Sequence, residues 1–417
     1  MLALTLLLAS LGVLTEGNKV QQVHLSLDNS PDHMVVTWLT EHPLPNVIPF
    51  AMYGTSTGQL TSTVKASTTK WEDGGKKAKT RYTYRTTFTD LKPGTRYYYT
   101  VGSAEEMSKT FSFIQPDQSK PLRAAIYGDM SILNGYSIQP LIEAATNGEI
   151  DVIFHMGDFA YDLDDKNGDT GDDFMNAIEP YTSIVPFMVL PGNHDTAQKY
   201  LHYKNRFSTP ENGENHGRYW SLDYGNTHII ALNTEFYAEA DSTKAEEQYN
   251  WLEADLKNNK GKWTVVMMHR PMYCSNDSKK GCHNQEDTIT REGAPGFPGL
   301  EKLFDKEGVD FIYYAHKHTY ERFWPMVKGD PFKTGDPNSF HNAPAPIYVM
   351  AGTGGCHDHI FPNETIQQPY SLKQLGNYGY ATLRVFNETF AVGGFVDALS
   401  KADLDPFVVS KEIGFKR

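Results

Sequence analysis

Six short apolar runs occupy the middle of the chain: LRAAIY (122–127), DVIFHM (151–156), PFMVLP (186–191), HIIALN (228–233), WTVVMM (263–268) and VDFIYY (309–314). Runs this short, bounded by Gly, Pro and Asn, suit strands buried in a sheet. Amphipathic stretches lie between some of them. Ala245, Tyr249, Leu252 and Leu256 recur at helical spacing within 244–259, and Leu300, Leu303 and Phe304 mark a second helix. Strands alternating with helices predict an α/β domain.

The flanks differ in kind. Residues 20 to about 115 hold strand-like segments rich in β-branched and aromatic residues, such as MVVTWLT (34–40) and YTYRTTF (82–88), with Pro93-Gly94 as a turn. This predicts a small all-β sandwich around Trp38. Gln115 to Pro121 reads as a linker, and about 343–397 returns to glycine-rich strand patterns. A chain of 417 residues has room for two or three domains at roughly 100–200 residues each. Its net charge of −13 excludes a general electrostatic attraction to nucleic acid or anionic lipid.

Leu2 to Leu14 is apolar apart from Thr5, Ser10 and Gly12. It is shorter than the ~20 residues of a membrane span and suits a signal-peptide core. Residues 1–17 are therefore expected to be a signal peptide. No second long apolar run occurs, so a secreted, extracellular or lysosome-like protein without a membrane span is expected. Sequons at Asn276, Asn363 and Asn387 agree with that compartment. Cys274 and Cys282 could pair there, the alternative being two free thiols, and Cys356 would be a buried single thiol.

Polar residues follow the apolar runs directly: Gly128-Asp129, Gly157-Asp158 with Tyr161, Gly192-Asn193-His194-Asp195, His269, and His316-Lys317-His318. Ligand sites of α/β sheets lie outside the carboxyl ends of the strands. Converging ends would gather hard oxygen donors and imidazoles with no thiolate, a set suited to Fe, Zn or Mn. One carboxylate bridging two cations would hold them about 3.5–4 Å apart.

Gly128-Asp129, GDFAYD (157–162), GNHD (192–195), MMHRP (267–271) and AHKHTYER (315–322) resemble, in order, the metallophosphoesterase motifs of the purple acid phosphatases. LKPGTRYYYTVG (91–102) is similar to the fibronectin-like domain of the large members, so the resemblance spans about residues 20–400. It implies a fibronectin III-like sandwich (20–115) and a calcineurin-like metallophosphoesterase domain (122–340) completed by a C-terminal part (341–400). The implied fold of that domain is α/β, two mixed sheets packed together and flanked by helices. The resemblance also implies that Asp129, Asp158, Tyr161 and His318 hold Fe(III). Asp158, Asn193, His269 and His316 would hold a divalent Fe, Zn or Mn, with Asp158 bridging.

The implied activity is that of an acid phosphatase cleaving monoesters of small molecules or phosphoproteins by attack of a metal-bound hydroxide, with His194 on the phosphate or the leaving group. A phosphodiesterase or nucleotide pyrophosphatase on the same metal core is the alternative. A non-catalytic secreted binding protein is a third reading. Asp195 and Tyr320 are expected to orient histidines, and Arg322 either to do the same or to form a surface salt bridge. Three features depart from the family. Ala315 stands where Gly is usual, Ser131 replaces a Gly of the first motif, and the extra substrate-binding histidine would be His283, displaced relative to Glu286, the alternative being a loop-surface residue. The acidic stretch YDLDDKNGDTGDD (161–173) lacks EF-hand spacing and reads as a solvated loop.

Overall fold

The computed structural model describes residues 20–415, apart from 45–47, 211–216, 260–262, 276–284, 334, 359 and 361–367. The six apolar runs supply six strands of two seven-stranded mixed sheets. In the first sheet Leu122–Tyr127, Val152–Met156 and Phe187–Leu190 run parallel, with Ala124 opposite Val152 and Ile153 opposite Phe187. In the second, Thr227–Ala231, Trp263–Met267, Phe311–Tyr314 and Ile347–Ala351 run parallel in that order. Every residue of these strands is buried, apart from one in Leu122–Tyr127, because one face meets the other sheet and the opposite face meets helices. Alternation along a strand sorts the two faces. Ala124, Ile126, Phe154 and Met156 share a cluster with Ile229, Val265 and Phe311 of the second sheet. Ala125, Tyr127 and Ile153 join a different cluster with Leu141, Phe174 and Ile178 of the helices Ile138–Thr146 and Asp169–Thr182.

The C-terminal strands are built into these sheets. Gly379–Val385 pairs antiparallel with Leu122–Tyr127, and the sheet continues through Phe390–Asp397 and Phe407–Ser410. The amphipathic pattern of 244–259 forms the helix Ser242–Asn258, which buries Ala245, Gln248, Leu252 and Leu256.

The N-terminal region is all β, in two four-stranded antiparallel sheets. Trp38 is fully buried between them and stacks on Tyr84 at 5.5 Å. This region is fastened to the α/β unit through Asp172. That carboxylate accepts from Arg81 Nε and Nη2 at 2.9 and 2.6 Å, from Gln22 Nε2 at 3.0 Å and from Arg206 Nη1 at 2.8 Å. Burial disfavours its charge, but Arg206 and Arg81 outweigh that and hold its pKa below the usual carboxylate range. The acidic stretch is thus not simply a solvated loop. Its end folds into the helix Asp169–Thr182, and Asp172 is a buried counter-ion for two guanidinium groups.

Candidate metal centre

Tight turns at the strand ends bring the polar motifs together. Asp129, Asp158, Tyr161 and His316 all have left-handed φ, of 59°, 58°, 51° and 68°. Such backbone is costly for non-glycine residues and persists where the surrounding structure over-determines it. Two glycines let these turns touch. A Cβ on Gly157 would fall 2.4 Å from Gly192 N, and one on Gly192 would fall 2.3 Å from Asp158 Oδ1. The Ala315 methyl is accommodated because Gly128 opposite has no side chain; a Cβ there would meet it at 2.5 Å.

Asp129 is fully buried. Its Oδ2 accepts from the His316 backbone N–H at 2.8 Å, and its Oδ1 accepts from the Tyr161 hydroxyl at 3.2 Å. The His318 Nε2 lies 2.9 Å from the same hydroxyl and 3.5 Å from Asp129 Oδ1. Asp158 Oδ1 accepts from the His194 backbone N–H at 2.9 Å, while its Oδ2 lies 3.3 Å from His269 Nε2. That same nitrogen is 3.0 Å from Asn193 Oδ1 and 3.2 Å from His316 Nδ1. One donor atom from each of Asp158, His269 and His316 lies within 4.8 Å of the others. The structure therefore brings Asp129, Tyr161 and His318 together on one side and Asp158, Asn193, His269 and His316 on the other.

The chemistry of the donors fits cations. His269 Nδ1 is 2.7 Å from the Met156 carbonyl, which can only accept, so Nδ1 carries the proton. In the neutral ring Nε2 is then a bare lone pair, and it faces Asp158 Oδ2 and Asn193 Oδ1. Lone pairs converge this closely only around a positive charge, either a proton on Nε2 or a metal ion in its place. Burial opposes protonation of His269, yet the Asp158 and Asp129 carboxylates overcome it and raise its pKa to about 10. His318 is raised to about 10 against the same burial, by its bonds to Asp129 and to the nearby Cys356 thiol. Without metal, these protons balance the buried carboxylates; bound cations would displace them. His316 is held neutral by burial and by His269, the form in which imidazole ligates. Burial and the Asp129 carboxylate push the Tyr161 phenol up, so its phenolate needs a neighbouring cation.

His194 stands at the edge, with its Nδ1 2.6 Å from Asp162 Oδ1 and a third of its side chain exposed. Burial lowers its pKa, but Asp162 and Asp158 more than compensate and lift it to about 9. Three roles read from the sequence are corrected. Asp195 orients backbone, not histidines: its carboxylate accepts from the N–H groups of Asp158 and Gly192 at 2.8 Å each. Tyr320 points away from the centre and donates to Asp405 Oδ2 at 2.9 Å. Arg322 neither orients a histidine nor lies on the surface; it is fully buried and forks onto Asp405 at 2.6 and 2.8 Å. His283 lies outside the described residues, as do Cys282, Asn276, Asn363 and the apolar N-terminal run. Cys274 is disulfide-bonded, and Cys356 is free and buried.

Sequence reasoning missed Asp162, the partner of His194, and His357, whose ring packs 4.5 Å from that of Tyr161. His357 comes after the strand Ile347–Ala351, so the strand-end signal that marked the other site residues was present for it too.

Residues 20–115 match the family described as purple acid phosphatase, N-terminal domain. Residues 122–320 match calcineurin-like phosphoesterase, and 345–403 match iron/zinc purple acid phosphatase-like protein C. The chain is 36% identical over 379 residues to the acid phosphatase type 7 of Homo sapiens, covering 88% of this chain and 85% of that one. It is 34% identical over 392 residues to the acid phosphatase type 7 of Danio rerio, covering 89% of this chain and 87% of that one. Among solved structures it is similar in fold to a purple acid phosphatase from yellow lupin seeds. The TM-score is 0.79 at 23% identity, covering 95% of this chain and 75% of that one.

Proposed function

This chain belongs to the purple acid phosphatase family, and from that premise we propose that it is a secreted or lysosomal acid phosphatase that hydrolyses phosphate monoesters of small molecules or phosphoproteins. The observation that carries the proposal is the convergence of donors from four strand ends: Asp158, His269 and His316 each place one ligand atom within 4.8 Å of the others, and Asn193 Oδ1 lies 3.0 Å from His269 Nε2.

Asp129, Asp158, Tyr161 and His318 would hold Fe(III), and Asp158, Asn193, His269 and His316 a divalent Fe, Zn or Mn. When bound, the metal pair supplies Lewis acidity toward the phosphoryl oxygens and an acidified water. The remaining work falls to the chain's own groups. Asn193 would contribute a ligand oxygen without a charge, which would reduce repulsion of an anionic substrate. The Asp162 carboxylate fixes His194 through Nδ1, leaving Nε2 as the nitrogen that can hold a proton against the leaving oxygen. The backbone N–H of His194 fixes the Asp158 carboxylate, so the turn that presents His194 also orients Asp158.

Secretion is supported by the apolar run Leu2 to Leu14, the disulfide at Cys274 and an exposed sequon asparagine, Asn387. A mobility shift of the native protein on treatment with an N-glycosidase tests it.

The central experiment is metal content, visible spectrum and aryl phosphate hydrolysis between pH 4 and 7 on purified protein. Two metals per chain, a visible charge-transfer band and turnover are expected. No metal-dependent turnover anywhere in that range sinks the proposal. Asp158→Asn should lose metal and activity together, and Tyr161→Phe should lose the band while keeping much of the hydrolysis.

A further inference from the structure

Two loops clamp together beside the centre. Ser131 donates to the Gly355 carbonyl from its backbone N at 2.7 Å and from its Oγ at 3.0 Å. The Asn134 side-chain amide donates to the carbonyls of Cys356, His357 and Asp358 at 2.9, 3.3 and 3.1 Å. Ser131, the departure from the first motif, is thus part of a built rim. The clamp sets the His357 ring 4.5 Å from the Tyr161 ring and 6.3 Å from the His194 ring. Its side chain stays 45% exposed, so His357 forms a wall beside the centre.

The other arm of the clamp is apolar. Ile132, Leu133 and Tyr136 are 43%, 79% and 50% exposed. Tyr136 is held by packing on Tyr378 at 4.8 Å. Apolar side chains grouped on an exposed rim mark a surface that gains by being covered. Here the rim adjoins the centre, since Asn134 within the shelf segment bonds the His357 carbonyl and the His357 ring packs on Tyr161.

We propose that this rim is the leaving-group subsite, with His357 and the Ile132–Tyr136 shelf selecting phosphate monoesters whose leaving group is a flat aromatic ring rather than a polyhydroxyl alcohol. The inference rests on the phosphatase reading above. His194 addresses the phosphoryl end, while the imidazole face of His357 and the shelf take the ring.

The test compares kcat/KM for phenyl phosphate and glycerol 2-phosphate in the wild type, His357→Ala, the double variant Leu133→Ser with Tyr136→Ser, and His357→Phe. In the first two variants the phenyl-to-glycerol selectivity should fall about three- to tenfold, the scale of one aromatic contact. The loss should sit in KM for phenyl phosphate, with metal content and the visible band at wild-type values. His357→Phe, which keeps a flat ring, should restore the ratio. Unchanged selectivity in both variants overturns the inference, as does a change seen only together with loss of metal. A wild type that turns over neither substrate removes the phosphatase reading and this inference with it. An active wild type with unchanged variants removes only the inference.

Discussion

Replacing Gly192 with alanine tests whether the centre depends on close backbone approach. Gly192 has φ −109° and ψ −171°, extended backbone that alanine adopts freely, so the substitution introduces no conformational strain. Its effect is steric. The new Cβ would lie 2.3 Å from Asp158 Oδ1, 2.7 Å from Asp158 N and 2.8 Å from His269 Cε1. Non-bonded contacts sit near 3.5 Å, so the overlap with the carboxylate is about 1 Å. Neither neighbour is the free end of a flexible chain. Asp158 Oδ1 is held by His194 N at 2.9 Å and Asp158 N by Asp195 at 2.8 Å, while the His269 ring is pinned by Met156 O. Relief by moving Asp158 breaks the His194 bond and changes the 3.3 Å spacing to His269. Overpacking of this kind costs about 1–3 kcal/mol of stability, and a misplacement of ~1 Å in a reacting site costs about 100-fold in rate. Gly192→Ala should therefore remain folded with a modestly lower melting temperature, lose metal, and fall about 100-fold in kcat/KM for an aryl phosphate. Gly58→Ala, with nothing within 4 Å of the new methyl, is the control and should match the wild type. A Gly192→Ala protein that purifies with full metal and keeps kcat/KM within about threefold of wild type would refute the reasoning.

Asp172→Asn leaves Arg81 and Arg206, each 1% exposed in its side chain, without their shared counter-ion. A loss of about 3–5 kcal/mol is expected in urea unfolding, and an unchanged midpoint would show that the cluster does not fasten the N-terminal sheets. His155 is buried among Tyr127, Phe159 and Phe187, and burial holds its pKa down at about 3. The unfolded chain takes up a proton here below about pH 6.5 while the folded one does not, so stability falls as pH drops from 6.5 toward 3 at about 1.4 kcal/mol per unit. His155→Leu should narrow the stability gap between pH 7.5 and pH 5 by about 2 kcal/mol whatever its packing cost, and an unaltered gap would count against a neutral buried imidazole.

The strand ends are legible in the sequence because a strand buried on both faces leaves an uninterrupted apolar run, and the polar residues where it stops have one place to go. That rule alone places Asp129, Asp158, Asn193, His269 and His316. It does not reach the partners of Asp172. They lie 34, 91 and 150 residues away in sequence, and nothing local distinguishes a counter-ion from its solvated acidic neighbours. Asp195 is misassigned when its motif is taken whole. An Asp three residues after a turn glycine satisfies backbone N–H groups first, as its bonds to Gly192 and Asp158 show. The error at Tyr320 and Arg322 is one of period. After His318 the chain enters the strand Tyr320–Phe323, where alternate residues share a face. Both therefore meet Asp405, while Glu321 between them bonds Ser275 on the other side. His357 escapes the motifs for a different reason. The segment GTGGCHDH, directly after the strand Ile347–Ala351, belongs to none of the five motifs that carry the family resemblance. The physical rule is broader than those motifs. Polar residues at the carboxyl end of a buried parallel strand face the ligand crevice whether or not a motif covers them, and that rule leads to His357 and the rim.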